Sequence, residues 1–269
     1  MNRGESILLV GGGNMGQALL RGWLADGRRP ASVHVVDPDE RARAAIGSLG
    51  IEASPARPHS FRADVIVLAV KPHLVEGALQ DYVDLADGRA TLLTIAAGKT
   101  IAFYQGLLGS SAAIVRGMPN TPAAIGRGIT ALAASEVVGS ARRRLCESLM
   151  TAVGQVVWLE DDGLMDSVTA VSGSGPAYVF LLIECLAAAA VKVGFEKELA
   201  ERLSLATVAG AGAYAMASGA DPAELRRQVT SPGGTTQAAL EVLIGDSRAL
   251  ESLLTEAVQA AARRSKELA

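Results

Sequence analysis

The first half of the chain alternates short apolar runs with longer stretches in which apolar residues recur every three or four positions. The run at 64–70 (DVIVLAV) is apolar on both faces, as in a strand buried inside a parallel sheet. Strands are predicted at 6–10, 33–36, 51–53, 64–70, 90–95, 112–116, 128–133 and 155–159. Helices are predicted between them at 14–25, 39–49, 73–85, 100–107 and 136–150. This alternation predicts an α/β fold with a doubly wound, mostly parallel sheet.

The pattern changes after residue 160, where Asp161, Asp162 and Gly163 are followed by no strand-like run. Helices are predicted at 164–170, 176–193, 196–218, 222–229, 234–244 and 247–267. We therefore expect two domains, an α/β domain over 1–160 and an all-α domain over 161–269. The helix at 176–193 is apolar nearly all round, and a domain of about 100 residues can hardly cover it alone. We expect it to lie in a subunit interface.

Composition excludes several classes of protein. Net charge is -3 over 269 residues, which argues against nucleic-acid binding and against an anionic membrane surface. The longest apolar run, at 177–191, contains Glu184 and is shorter than the ~20 residues of a membrane span. The N-terminus has no signal-peptide apolar core. Cys146 and Cys185 lack CxxC spacing and a nearby histidine, so we expect no metal, no disulfide and a cytoplasmic location.

A glycine-rich motif follows the first predicted strand and opens the first predicted helix. It reads Gly11, Gly12, Gly13, Asn14, Met15, Gly16, which is GxGxxG. The first glycine allows a tight turn, the second lets the backbone approach a pyrophosphate, and the third packs helix against strand. The 1–160 domain is therefore expected to be a Rossmann-type dinucleotide-binding domain, with Gly11, Gly13, Asn14, Met15 and Gly16 at the cofactor.

Asp37 ends the second strand at the distance where a ribose-contacting acid is expected. A carboxylate there accepts hydrogen bonds from the ribose 2′-hydroxyl and repels a 2′-phosphate, which favours NADH over NADPH. The alternative is that Asp37 only begins a turn and caps the next helix. Arg41 and Arg43 lie close enough in sequence to soften the repulsion.

Two further segments end strands at the edge where such sheets bind their ligands. Ala69, Val70, Lys71 and Pro72 close the fourth strand, and Lys71 is expected to meet the cofactor there. Asn120 lies in the rigid loop MPNTP after the sixth strand. We expect it to bond a nicotinamide or a substrate group, the alternative being that it holds its own turn.

The helical half contains two helix starts rich in hydroxyls and glycines, at 172–177 (SGSGPA) and 230–236 (TSPGGTT). Capping and turn formation explain these residue types. They do not explain two such starts in one small domain. If the two converge, they form a pocket of backbone N–H groups and hydroxyls without a fixed cation, which suits a carboxylate.

The absence of histidine and of a suitably placed lysine in the helical half argues against some classes of reaction. His34, His59 and His73 all lie in the first half, and the helical half has no histidine. Oxidation of an alcohol usually needs a base near the carbinol. The β-hydroxyacid dehydrogenases use a lysine one to two turns into the helix after a glycine-rich loop, and 177–182 contains none. We therefore expect a reaction that does not centre on a carbonyl–alcohol pair.

The motifs GGGNMG, AVKP, MPNTP, SGSGPAY and TSPGGTT, in this order and spacing, resemble the Δ1-pyrroline-5-carboxylate reductase family over essentially the whole chain. The resemblance implies NAD(P)H-dependent reduction of a cyclic imine to L-proline, without a metal. It implies that the substrate carboxylate lies against the N–H groups of Gly234, Thr235 and Thr236. It also implies that the Thr236 hydroxyl bonds the ring nitrogen as the catalytic group. The 172–175 loop is implied to assist, with Ser172, Ser174 and Gly175 at the substrate.

The resemblance further implies a homodimer with interlocked helical domains, often assembled into decamers. Two departures concern the cofactor. Family members often carry Ser or Asn near Asp37 and prefer NADPH, and the adenosine-contacting Asn before AVKP is replaced here by Ser54, Pro55, Ala56 and Arg57. Two alternatives stay open: a reductase of a six-membered cyclic imino acid, and a non-catalytic NAD(P)-binding scaffold, which would have no need of the SPGGTT loop.

Overall fold

A computed structural model describes residues 4–58, 60–82, 88–245 and 249–268. Eight strands form one sheet in the order β3-β2-β1-β4-β5-β6-β7-β8. They are β1 (Ile7–Val10), β2 (Val33–Val36), β3 (Glu52–Ser54), β4 (Val65–Leu68), β5 (Thr91–Thr94), β6 (Ala113–Met118), β7 (Gly128–Ala134) and β8 (Gly154–Trp158). All the predicted strands are confirmed, and the strongest signal came from runs such as β1 and β4, which are buried at every position.

The sheet is parallel except between β6 and β7, which pair antiparallel. The chain runs outward from β1 to β3 and then returns to the other side of β1 as β4. Val10 and Leu68 are register partners at the ends of β1 and β4. Because the strand order reverses here, the segments after these two residues leave the sheet side by side at its switch point, where open α/β sheets bind their ligands. The predicted α/β class is confirmed.

Among the described residues up to 168, the structure has six α-helices. They are α1 (Asn14–Ala25), α2 (Glu40–Gly47), α3 (Val75–Leu79), α4 (Ile101–Leu108), α5 (Ser140–Thr151) and α6 (Met165–Val168). Their apolar faces cover the strands, and Trp23 of α1 is buried and donates to the Leu149 carbonyl of α5 at 2.8 Å. The helix predicted at 73–85 is shorter: a 3-10 turn at Pro72–Leu74 leads into α3, and residues 83–87 lie outside the described residues.

The chain divides into two compact units, Met1–Gly173 with Ala261–Ala269, and Ser174–Ala260. The domain boundary predicted between 160 and 161 stays a prediction. The remaining helices are α7 (Gly175–Lys192), α8 (Lys197–Ser218), α9 (Pro222–Gln228), α10 (Thr235–Ile244) and α11 (Leu250–Glu267). The all-helical character predicted after residue 160 is confirmed.

No loop separates α6 from α7. A π-helical turn at Thr169–Gly173 carries the chain from one to the other, so that the run over Asp162–Lys192 is long and apolar enough, by length and composition, to cross a membrane. The helices predicted separately at 164–170 and 176–193 are joined through this turn, so the length of the 177–191 run alone does not exclude a membrane span. The absence of a membrane partner stays a prediction. Only 6% of the most apolar window is buried, and no residue of α7 is buried. Much of the apolar surface of α7 is therefore exposed in the single chain, although Ile183 and Ala187 are half-buried.

Candidate active site

The loop between β1 and α1 has the backbone that its glycines predict. Gly11 has φ +103, and a Cβ there would lie 2.6 Å from the Ala69 carbonyl oxygen. A Cβ on Gly16 would lie 2.2 Å from the Gly11 oxygen, so the helix packs on the loop without room for a side chain. Gly13 faces open space, with no atom within 4 Å of an added Cβ, and it precedes α1 without a side-chain cap. Open space beside an uncapped helix N-terminus suits a pyrophosphate.

The Asp37 carboxylate lies against this loop. Its Oδ2 accepts from the Gly12 N–H at 2.6 Å, and its Oδ1 accepts from the Asp39 N–H at 2.8 Å. The side chain that caps α2 is Asp39, which accepts from the Arg41 N–H. Asp37 therefore forms the turn and also places negative charge at the glycine loop. Each carboxylate oxygen retains a second lone pair for a ligand hydroxyl.

The two arginines near Asp37 differ in their contacts. The Arg43 guanidinium donates to the carbonyl oxygens of Asp37 and Pro38 at 2.9 and 2.7 Å. Arg41 is exposed. Arg43 is thus engaged with the backbone of the turn, while the Asp37 carboxylate is bonded to neutral N–H groups.

The segment after β4 lies beside the glycine loop. The Ala69 N–H donates to the Val10 carbonyl at 2.8 Å, and the Ala69 carbonyl meets Gly11 as described above. Ala69 and Val70 are half-buried, whereas Lys71 and Pro72 are exposed. The structure therefore brings these four residues to the switch point next to Gly11.

Asn120 precedes a 3-10 turn at Thr121–Ile125 but does not cap it. Its Oδ1 accepts from the Ile129 N–H at 3.0 Å, and its Nδ2 donates to the Ser172 carbonyl at 3.1 Å. Asn120 and Ser172 are thus brought together, which the sequence did not predict because they lie 52 residues apart. One Nδ2 hydrogen remains for a ligand.

The residues before α7 depart from the predicted helix start. The Ser172 hydroxyl donates to the Val168 carbonyl at 3.0 Å, inside the π-helical turn. Ser174 is in a right-handed helical conformation and its side chain makes no capping bond. Capping therefore does not account for Ser174, because a helix that continues through a π-turn has no extended capping residue. Ser174 and Gly175 are half-buried.

The residues before α10 form a tight turn. Pro232 and Gly233 occupy its central positions, Gly233 has φ +67, and the Gly234 N–H donates to the Ser231 carbonyl at 3.0 Å. These are the features of a type II turn, which needs positive φ at its third residue. Gly234 then has extended backbone and no side chain to cap the helix.

Three N–H groups at the start of α10 are left for a ligand. The Gly234 carbonyl accepts from the Ala238 N–H, whereas the N–H groups of Thr235, Thr236 and Gln237 find no partner among the described residues. The resemblance assigned the Gly234 N–H to the substrate, but that group is bonded within the turn. Gln237 was missed. Its Oε1 accepts from the Gly233 N–H at 2.7 Å, and the signal was a Gln at the third helical position, as in a capping box.

The two threonine hydroxyls of α10 make no hydrogen bond with another described residue, and Thr236 is half-buried. Among the described residues of the second unit, no hydrogen bond joins the turn at 231–234 to the start of α7. The predicted convergence of 172–177 with 231–236 therefore stays a prediction.

Among the described residues, Cys146 and the histidines form no alternative catalytic centre. Burial raises the pKa of the Cys146 thiol to about 12, so it is not a nucleophile at neutral pH. Burial lowers the pKa of His34, which lies on β2 and bonds the Ser54 hydroxyl at 2.8 Å. His73 lies in the Pro72–Leu74 turn, and His59 lies outside the described residues. Among the residues that the structure describes, no three His, Cys, Asp or Glu cluster as metal ligands would.

Comparison with known proteins is consistent with this geometry. Residues 162–268 match a family model described as pyrroline-5-carboxylate reductase dimerisation, and residues 6–98 match one described as NADP oxidoreductase coenzyme F420-dependent. A pyrroline-5-carboxylate reductase of Pseudomonas aeruginosa is 40% identical over 98% of this chain and 96% of its own. That of Haemophilus influenzae is 36% identical over 97% of each chain.

Solved structures of proteins from the same family are similar to this chain along its whole length. A pyrroline-5-carboxylate reductase from Coxiella burnetii superposes with a TM-score of 0.94, at 37% identity and with 99% of each chain covered. A Plasmodium falciparum pyrroline carboxylate reductase with NADP bound gives a TM-score of 0.85 at 28% identity, covering 99% of this chain and 98% of its own. With relatives above 30% identity matched along nearly their whole length, the chain belongs to the pyrroline-5-carboxylate reductase family.

Proposed function

We propose that this protein reduces L-1-pyrroline-5-carboxylate to L-proline with NADPH or NADH, the last step of proline biosynthesis. When bound, the dinucleotide would supply a hydride from C4 of its nicotinamide to the C=N carbon of the imine, which becomes C5 of proline. The observation that carries the proposal is the start of α10, where three N–H groups and two hydroxyls without partners among the described residues lie together without a cation. A cyclic imine with one carboxylate and one ring nitrogen matches that set of donors.

On the substrate side, the N–H groups of Thr235 and Thr236 hold the carboxylate at the positive end of α10. Gly234 contributes by shape, because a Cβ there would lie 2.5 Å from the Ser231 hydroxyl oxygen. Ser172, Ser174 and Gly175 are assigned to the substrate as well. The Thr236 hydroxyl is the catalytic group, which bonds the ring nitrogen.

The chemistry needs no stronger acid than a hydroxyl. An imine is protonated readily, and its iminium form accepts hydride without a side-chain base of tuned pKa. The protein therefore has mainly to orient the substrate in near-attack geometry, which is a large part of enzymatic rate enhancement. This fits the helical half, which has no histidine.

On the cofactor side, Gly11, Gly13, Asn14, Met15 and Gly16 hold the pyrophosphate. The crevice beside them is lined by Ala69, Val70, Lys71 and Pro72. Asn120, after the sixth strand, is assigned to a nicotinamide or a substrate group. Asp37 is assigned to the adenosine ribose and favours NADH, because its carboxylate is fixed at the glycine loop by the Gly12 N–H. The Plasmodium falciparum relative was solved with NADP, so both nucleotides have to be measured for this chain.

The chain carries the family's dimerisation region and forms a homo-oligomer. We assign the uncovered face of α7 to the interface of a homodimer, with decamers as the larger assembly. Phe180, Leu181 and Leu182 are 56, 58 and 49% exposed in the single chain, so burying them in a second copy is strongly favourable. The protein is expected to be cytoplasmic, with the apolar 162–192 run covered by protein rather than lipid.

Absorbance at 340 nm tests the proposal with the purified protein, each nucleotide and two imines. We expect oxidation of NADPH or NADH with pyrroline-5-carboxylate and a much lower kcat/KM with the six-membered piperideine-2-carboxylate. Equal kcat/KM values for the two imines would remove the five-membered specificity. No absorbance change with either imine would leave a non-catalytic nucleotide-binding protein.

A further inference from the structure

Asn120 has an unexpected set of hydrogen bonds. It occupies the position that would cap the Thr121–Ile125 turn, yet its side chain makes no capping bond. The carboxamide spans two other segments instead, accepting from Ile129 N–H and donating to the Ser172 carbonyl. Because one partner is a donor and the other an acceptor, the orientation of the amide is fixed by its surroundings.

The Ser172 carbonyl depends on this donor for a reason visible in the sequence. In an α-helix it would accept from the N–H four residues later, and that residue is Pro176, which has none. The donor five residues later is the Ala177 N–H, which goes to the Ser174 carbonyl at 2.9 Å. The Asn120 Nδ2 therefore stands in for the N–H that Pro176 lacks.

The backbone around this bond is held closely. A Cβ on Gly173 would lie 2.6 Å from Cε of Met118, so the Met118 side chain packs directly on the Gly173 backbone. Met118 ends β6 and Asn120 lies two residues later, while Ser172 and Gly173 end the π-helical turn. The end of β6 and the loop after it thus contact the end of this turn through one apolar contact and one hydrogen bond.

The beginning of the same stretch is fixed to the sheet as well. Arg116, two residues before Met118 on β6, is 3% exposed and donates to Asp162 Oδ1 at 2.9 Å. The other oxygen of Asp162 accepts from the Ile101 N–H at 3.0 Å. Met165 is buried with Ala131 and Ala133 of β7. The 162–173 stretch is therefore held at both ends, and Asn120 makes the polar contact at the Ser172 end.

We infer that Asn120 is a positioning residue: its side-chain N–H replaces the helical donor missing at Pro176 and so fixes the backbone of Ser172. This inference rests on the proposed function for the assignment of Ser172 to the substrate. It differs from a direct nicotinamide contact, because Asn120 then acts through Ser172. π-turns recur at functional sites, where they present backbone that a regular helix would hide.

The test combines removal of the donor with restoration of the missing one. Asn120→Asp keeps the side-chain shape and the acceptor for Ile129 but removes the donor to Ser172. Asn120→Ala removes both groups. Pro176→Ala introduces an N–H four residues after Ser172, the position of the donor in an α-helix, and we combine it with each variant. The readouts are kcat and KM for the imine, nucleotide Kd, and amide hydrogen exchange of a peptide covering 169–177.

We expect each Asn120 variant to lose on the order of tenfold in kcat/KM for the imine while nucleotide Kd stays within about twofold. Exchange over 169–177 should accelerate. Adding Pro176→Ala should recover much of both losses, whereas Pro176→Ala alone should have little effect. A rise in nucleotide Kd, or the absence of rescue in activity and in exchange, would overturn the positioning role.

The exchange readout separates this inference from the proposed function. If the wild-type protein were inactive on pyrroline-5-carboxylate, the proposed function would fail, yet faster exchange in the Asn120 variants and its reversal by Pro176→Ala would still support the Ser172 tether. Unchanged exchange in a fully active Asn120→Asp variant would refute the tether and leave the proposed function intact.

Discussion

Replacing Asp37 by serine should shift the nucleotide preference towards NADPH. The Asp37 carboxylate is anchored at the glycine loop by the 2.6 Å bond from Gly12 and cannot swing away from a ligand without losing it. A ribose 2′-phosphate at about 5 Å would meet a repulsion of about 3 kcal/mol per unit charge at an effective dielectric constant of about 20. Salt and the half-exposed position lower this to about 1–3 kcal/mol, or roughly five- to 150-fold in the ratio.

The assay is the ratio of kcat/KM for NADPH to that for NADH, measured at 340 nm with saturating imine. Asp39→Ser is the matched control, because it removes a carboxylate only two residues from Asp37. The Asp39 side chain caps α2 by accepting from the Arg41 N–H. Because serine also caps helices well, the control should leave stability nearly unchanged and the ratio within about twofold. An unchanged ratio in Asp37→Ser, or an equal change in Asp39→Ser, would show that Asp37 only forms its turn.

Further predictions concern catalysis, stability and assembly. Thr236→Ala should lower kcat about ten- to hundredfold without weakening nucleotide binding, and an equal loss of nucleotide affinity would contradict its role at the substrate. Thr91→Val should raise the free energy of unfolding by about 1 kcal/mol in urea titrations, because the fully buried Thr91 hydroxyl has no partner among the described residues. Thr94→Val on the same strand should lower it by a similar amount, since that hydroxyl bonds Tyr104 at 2.7 Å. Light scattering at micromolar concentration should give a dimer or larger, and Leu181→Asp, on the exposed face of α7, should dissociate it; a wild-type monomer would refute the interface.

Local sequence patterns were sufficient for the sheet. Val10 and Leu68 end runs that are apolar on both faces, and such runs specify buried parallel strands whatever lies around them. The type II turn before α10 was equally local, because Pro232 followed by Gly233 encodes it directly. These elements depend on a few adjacent residues, which is why they were predictable.

Features that depend on distant partners were not predictable. Glycines and serines at 172–175 suggested a loop, whereas the chain continues as a π-turn supported by Asn120, 52 residues earlier. The Gly234 N–H was assigned to a ligand because the motif does not reveal that the Ser231 carbonyl already takes it. Nothing local in MPNTP indicates that the Asn120 side chain leaves its own turn to reach Ile129 and Ser172.

The most direct test of the central claim follows the hydride itself. The protein is incubated with pyrroline-5-carboxylate and NADPH or NADH carrying deuterium at both hydrogen positions of nicotinamide C4, and the product is analysed by mass spectrometry and NMR. The account predicts L-proline with one deuterium at C5, formed in equal amount to the nucleotide oxidised. Proline without deuterium at C5, or nucleotide oxidation without proline, would contradict it.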